Sequence, residues 1–171
     1  LINGSTSRTF TLSLGPPAGI LTFTVVGTEG GLLTAPAPGV GELTFGPGER
    51  YDLVIDFAGY NTGDEILLVN SASAPFPNGT VDVTQVMKFR VTSQAGDTDP
   101  LPATLRAIQR RDPATAVKTR DFRLKQSGTD GCGRSKWEIN GLRWNDITEY
   151  PELGTTEIWR YINDSGVSHP M

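Results

Sequence analysis

Apolar side chains recur at every second residue in three separate stretches, and this spacing constrains the fold more than any other feature. In residues 8–14, Phe10, Leu12 and Leu14 alternate with Thr9, Thr11 and Ser13. In residues 51–57, Tyr51, Leu53, Ile55 and Phe57 share a face, with Asp52 and Asp56 on the other. In residues 87–91, Met87, Phe89 and Val91 alternate with Lys88 and Arg90. Successive side chains of a strand point to opposite faces, so this pattern predicts antiparallel strands buried on one side. Further strands are expected at 21–27, 42–45, 65–70, 120–125, 136–140 and 156–162. Turn formers separate them: Gly15-Pro16-Pro17, Gly30-Gly31, Gly46-Pro47-Gly48, Asn61-Thr62-Gly63, Asn78-Gly79 and Asn140-Gly141. Ile139-Asn140-Gly141-Leu142 suits a two-residue type I′ hairpin, because both central residues of that turn need positive φ.

Twenty glycines and twelve prolines in 171 residues are many for a helical protein but too few for a low-complexity chain. The expectation is an all-β fold, a sandwich or barrel of short strands. Residues 101–108 place Leu101, Leu105 and Ile108 at helical spacing, but Pro100 and Pro102 flank the start. They read as an extended connector with one turn at most. The stretch 93–113 is proline-bearing, charged and without alternation, which is the composition of an inter-domain linker. Residues 1–92 then form one domain, and 114–171 supply the opening strands of a second.

Composition excludes several functions. A net charge of −4 gives no basic face for nucleic acid. No apolar run approaches the roughly 20 residues of a membrane helix. One cysteine excludes an internal disulfide framework and a Cys-rich zinc site, and one histidine excludes a His cluster within the chain. The start, Leu1-Ile2-Asn3-Gly4, has neither the basic nor the apolar region of a signal peptide. Both ends read as cut from a longer protein.

Several motifs, taken in order, resemble one family. Leu1-Ile2-Asn3-Gly4-Ser5 with Ser7-Arg8-Thr9 resembles the opening of the middle domain of multicopper oxidases. Val26-Gly27-Thr28-Glu29-Gly30-Gly31 is similar to a turn of that domain, with Glu where Asp is usual. Pro47-Gly48-Glu49-Arg50-Tyr51-Asp52 resembles another of its segments. Ile139-Asn140-Gly141, between Trp137 and Trp144, resembles the hairpin that starts the third domain. Gly154-Thr155-Thr156-Glu157-Ile158-Trp159, then Asn163, then His169-Pro170-Met171, resembles the approach to the HPxHLH copper motif. Bacterial three-domain enzymes such as spore-coat laccases, bilirubin oxidases and phenoxazinone synthases are the subgroup it resembles most.

The resemblance implies cupredoxin-like Greek-key sandwiches: a middle domain without copper, followed by part of a third domain. It implies a parent that oxidises phenols or aromatic amines at a type 1 copper and reduces dioxygen to water at a trinuclear copper cluster. His169 then takes a type 1 ligand position. The partners are the first domain and the rest of the third, and no tight copper binding or oxidation is expected of this chain alone. Strand edges left open, with apolar faces such as that of Phe122 and Leu124, are expected to pair with other copies. An extracytoplasmic, spore-surface or cell-surface setting also belongs to the resemblance, since the residues name no compartment.

Other residues have plainer readings. A type 1 site needs two imidazoles and a thiolate, usually with a weak axial Met. The chain offers His169, Cys132, Met87 and Met171. Cys132 does not match the family's copper cysteine and reads as a free loop thiol. Asp52 and Asp56 read as a solvated strand face, Arg50 as an ion-pair partner of a neighbouring loop, and Glu29 as a turn cap. Trp137, Trp144 and Trp159 are expected in a core. Asn3-Gly4-Ser5, Asn78-Gly79-Thr80 and Asn163-Asp164-Ser165 fit the N-glycosylation pattern, which is common in turns. A copper-independent immunoglobulin-like binding or adhesion module would share the strands and turns, but not the ordered motifs.

Overall fold

The computed structural model describes residues 1–15, 21–93, 96 and 99–171. The expected turn at Gly15-Pro16-Pro17 and part of the 93–113 stretch lie outside them. The chain divides into two units, Leu1–Ile108 and Gln109–His169.

In the first unit the alternating stretches become strands of two sheets. One has the order β4-β1-β6-β7, from β1 (Phe10–Leu14), β4 (Leu43–Phe45), β6 (Glu65–Asn70) and β7 (Gln85–Arg90). The other has the order β3-β2-β5, from β2 (Phe23–Thr28), β3 (Gly31–Val40) and β5 (Tyr51–Val54). Every pairing between these strands is antiparallel. Leu12, Leu14, Leu43, Phe45, Ile66 and Leu68 from the first sheet meet Phe23 from the second in one buried cluster. Phe45 and Tyr51 carry the contact between the sheets edge to face, with ring centroids 5.9 Å apart. Burying these side chains is the main stabilising term, at roughly 1.5–3 kcal/mol for each fully enclosed one.

β3 escaped the sequence reading. Its GLLTAPAPGV sequence has no alternation and carries two prolines. Among the described residues it lies at the edge of its sheet, paired only with β2. An edge strand has one side without ladder bonds, and there a missing N–H costs little. Residues 101–108 form no helix. Leu105 donates its N–H to Thr34 O at 2.9 Å, which holds this stretch against β3. A 3₁₀ turn occurs later, at Pro113–Thr115, where the Asp112 carboxylate accepts the Ala114 N–H.

The second unit is a three-stranded sheet, order β10-β8-β9, from β8 (Lys118–Thr129), β9 (Ser135–Ile139) and β10 (Glu157–Asn163). β10 runs parallel to β8, and β9 antiparallel to it. Phe122 and Leu124 are buried, and Phe122 contacts both Trp159 and Tyr161. The tryptophans depart from expectation: Trp137, Trp144 and Trp159 are 48%, 99% and 43% exposed. Among the described residues of this unit no second sheet faces the first, so strand alternation alone cannot bury them. The Asn140-Gly141 turn is as expected. Its φ values are 55° and 78°, and Leu142 N–H donates to Ile139 O at 2.9 Å. The Asn140 amide also accepts the Arg123 N–H and donates to Asp121 O, fastening the hairpin to β8.

Candidate functional site

In the first unit the three family-like motifs meet. Leu1 through Asn3 runs beside the start of β5, with Asn3 N–H on Glu49 O, Gly48 N–H on Asn3 O and Tyr51 N–H on Leu1 O. The Asn3 amide donates to Arg8 O (2.8 Å) and Phe45 O (3.2 Å), and accepts from the Ser5 N–H and hydroxyl. Asn3 is only 3% exposed, so its glycosylation pattern is sealed in the folded chain. Arg8 reaches Asp82 with both terminal nitrogens. Glu29 does more than cap its own turn. Its carboxylate crosses to the start of β5, accepting the Arg50 N–H and pairing with the Arg50 guanidinium at 2.7 Å. Arg50 is therefore the ion-pair partner of a neighbouring loop, as expected. Gly27 sits at a bulge, where an added Cβ would lie 2.7 Å from Asp52 Oδ2. Asp52 and Asp56 are exposed, and Asp56 accepts the Ala58 N–H. These groups brace the unit and bring no acid–base pair together. An apolar cleft of about 390 Å³ lies nearby among Phe10, Leu12, Phe45, Leu68, Val86 and Met87, with no carboxylate, imidazole or thiol in its wall.

The second unit carries the candidate chemistry. β10 is anchored at its start by Glu157, whose carboxylate takes two bonds from Arg120 of β8 (2.6 and 2.9 Å) and one from the Trp159 indole (2.9 Å). Both members of the ion pair are largely enclosed, with side chains 14% and 8% exposed. Bonds from Arg120, and then from Trp159, hold the Glu157 carboxyl down at about 2, against an ordinary 4.5. The folded value is the depressed one, so the pair contributes fully above about pH 4.5 and is lost as pH falls through about 2. An acid unfolding titration is expected to show this loss in the wild type. Glu157→Gln should flatten that part of the curve, and an unchanged slope would contradict the assignment.

Past the end of β10 the chain turns on Asn163 and Ser165 and arrives at His169. Asn163 Nδ2 donates to Val167 O at 2.8 Å, and Ser165 N–H donates to Asn163 Oδ1 at 3.0 Å. Ser165 Oγ lies 2.7 Å from Asn163 Oδ1 and 2.9 Å from His169 Nε2. Trp137 of β9 meets the imidazole edge to face, with centroids 5.2 Å apart. His169 is thus half-buried and held on two sides. Cys132 is an exposed free thiol in the β8–β9 turn. Among the described residues no three His, Cys, Asp or Glu side chains converge to hold a metal. The described contacts of His169 are with Ser165 and Trp137. The sequence reading missed the Asn163–Ser165 turn as a support for His169. The signal was present, because the same Asn-x-Ser triplet opens the chain at Asn3.

No family model matches this chain. It is 35% identical to a laccase of Bacillus subtilis (strain 168) over 178 residues, covering 100% of this chain and 33% of that protein. It is 34% identical to multicopper oxidase LPR1 homolog 5 of Oryza sativa subsp. japonica over 186 residues, covering 100% of this chain and 28% of that one. Its structure is similar to that of the McoA multicopper oxidase from the hyperthermophile Aquifex aeolicus, with a TM-score of 0.78 and 30% identity, over 99% of this chain and 38% of the other. The chain spans about a third of the length of these relatives. The all-β fold agrees over 99% of the chain with the cupredoxin-like domains of such enzymes, and with the likeness in sequence over the whole chain this leads to one conclusion: the chain belongs to the multicopper oxidase family.

Proposed function

We propose that residues 1–171 form the middle domain, and the opening strands of the third, of a laccase-like oxidase acting on phenols or aromatic amines. In this reading residues 1–92 are the copper-free middle cupredoxin-like domain, 93–113 the connection, and 114–171 the start of the third. The first domain and the remainder of the third are its partners. The observation that carries the reading is coverage: the likeness to laccases and multicopper oxidases runs through the whole chain and both units. That coverage goes against the immunoglobulin-like module.

Copper, when bound in the whole enzyme, supplies one-electron acceptance from the substrate and reduction of dioxygen to water. The residues of this chain do the positioning. Glu157 and Arg120 fix the start of β10 to β8, and β10 delivers His169 to a type 1 ligand position. Trp137 limits how the ring can tilt. The Asn3, Glu29 and Arg50 network keeps the middle domain stiff, so that it can frame the substrate side.

A type 1 site needs two imidazoles and a thiolate. The chain holds one of each, on separate loops. By itself it therefore neither binds copper tightly nor oxidises substrate, and its open strand edges pair copies together. The test sets the 171-residue chain beside the full-length protein, each loaded with Cu(II). The full-length protein is expected to show the intense blue thiolate-to-copper band and to oxidise a phenol panel. The isolated chain should show neither. A blue band in the isolated chain would make Cys132 a ligand and overturn the assignment.

A further inference from the structure

We infer that Ser165 is a positioning residue that fixes the tautomer of His169, leaving Nδ1 as the ring nitrogen that meets the metal. The inference rests on the reading of His169 as a ligand position and deepens it. The argument is a count of protons. A serine hydroxyl has one proton to donate and two lone pairs. Ser165 N–H donates to Asn163 Oδ1, which identifies that atom as the amide oxygen, an acceptor only. The Ser165 hydroxyl faces this oxygen at 2.7 Å and the Val167 carbonyl, also an acceptor only, at 3.1 Å. Its one proton goes to one of these two. Toward His169 Nε2, 2.9 Å away, Oγ has only a lone pair to offer. Nε2 must therefore carry the proton, and Nδ1 keeps its lone pair for a metal ion. A metal-ligating histidine is commonly held in this way, through its other ring nitrogen.

The first unit contains a similar turn, one residue longer, in a purely structural setting. There Ser5 N–H and hydroxyl meet Asn3 Oδ1, and Asn3 Nδ2 donates to Arg8 O. The Ser5 lone pair is taken by the Arg8 backbone N–H at 3.1 Å. In the second unit the corresponding backbone donor, Val167 N–H, stands off at 3.5 Å. The imidazole takes its place. One local device thus serves twice, once to close a turn and once to aim a ring.

His169 is the only histidine of the chain, so its ring can be observed alone by ¹⁵N-resolved NMR of the 171-residue protein with the ring neutral. The wild type is expected to show a single tautomer, protonated at Nε2. Ser165→Ala should release the ring into exchange between both tautomers, and Ser165→Thr, which keeps the hydroxyl, should restore the single form. A wild-type ring protonated at Nδ1, or a ring indifferent to Ser165→Ala, would overturn the inference. In the full-length oxidase, Ser165→Ala should weaken copper affinity about 10–100-fold by chelator competition, with Ser165→Thr near wild type. A blue full-length enzyme whose affinity does not change in Ser165→Ala would sink this inference and leave the family function standing. A full-length protein with no blue copper, but with the expected tautomer, would sink the ligand role of His169 and leave the Ser165 contact intact.

Discussion

Phe23→Ala is expected to lower the unfolding free energy by about 3–5 kcal/mol, the range for removing a phenylalanine from a closed core. Phe23 is 1% exposed and is the member of the buried cluster contributed by the β3-β2-β5 sheet. Its ring fills the space between Leu12, Leu43, Phe45, Ile66 and their neighbours on the facing sheet. Strands pinned by ladder bonds on both sides cannot move in to close the hole, so the loss combines transfer and cavity terms. Typical domains have about 5–15 kcal/mol in total, so this one change removes about a fifth of the stability or more. Urea unfolding of the chain should show a lower midpoint at an unchanged slope. Trp144→Ala is the control. Trp144 is 99% exposed and its removal should change stability by less than about 0.5 kcal/mol. If the two variants unfolded together, the core would not lie where the structure places it.

Asn3→Ala is expected to cost about 2–4 kcal/mol, because each buried polar group left without a partner costs roughly 1–3 kcal/mol. The truncated side chain would abandon Phe45 O, at the end of β4, in a buried position. It would also remove the acceptor that orders the Ser5 N–H and hydroxyl, and through Ser5 the turn into β1. Once Asn3 Oδ1 is gone, the Ser5 hydroxyl can give its one proton to Arg8 O, which is why the estimate stays below the sum for every lost bond. Asn78→Ala provides the comparison within the same triplet pattern, since Asn78 is exposed and its loss should be nearly silent. Thermal melts of both variants check this. Equal melting temperatures for Asn3→Ala and the wild type would mean that the Asn3 network contributes nothing.

Several elements could be read directly from the residues. The alternation of Phe10, Leu12 and Leu14 gave β1, and Asn140-Gly141 gave a hairpin whose φ values are those the dipeptide prefers. Strand 65–70 has the bounds that its apolar run suggested. β3 was hidden because prolines erase the alternation, and only its place at a sheet edge makes them harmless. The tryptophans misled for a different reason. Hydrophobicity says that a ring prefers burial, but whether a covering layer exists is a property of the assembled sheets. His169 was singled out by the motif around it, whereas Ser165 looked like one polar turn residue among many.

Local sequence determined that this chain is built of short strands, where many of them turn, and which face of each prefers to be dry, because side-chain alternation and positive-φ dipeptides act over neighbouring residues. Tertiary structure alone decided that Glu29 clamps Arg50, that Asn3 is sealed beside Phe45, and that one serine lone pair meets a backbone N–H while its counterpart meets an imidazole. Hydrogen-bond partners far apart in the chain are selected by strand register and by what the fold excludes from water, and no local pattern encodes either.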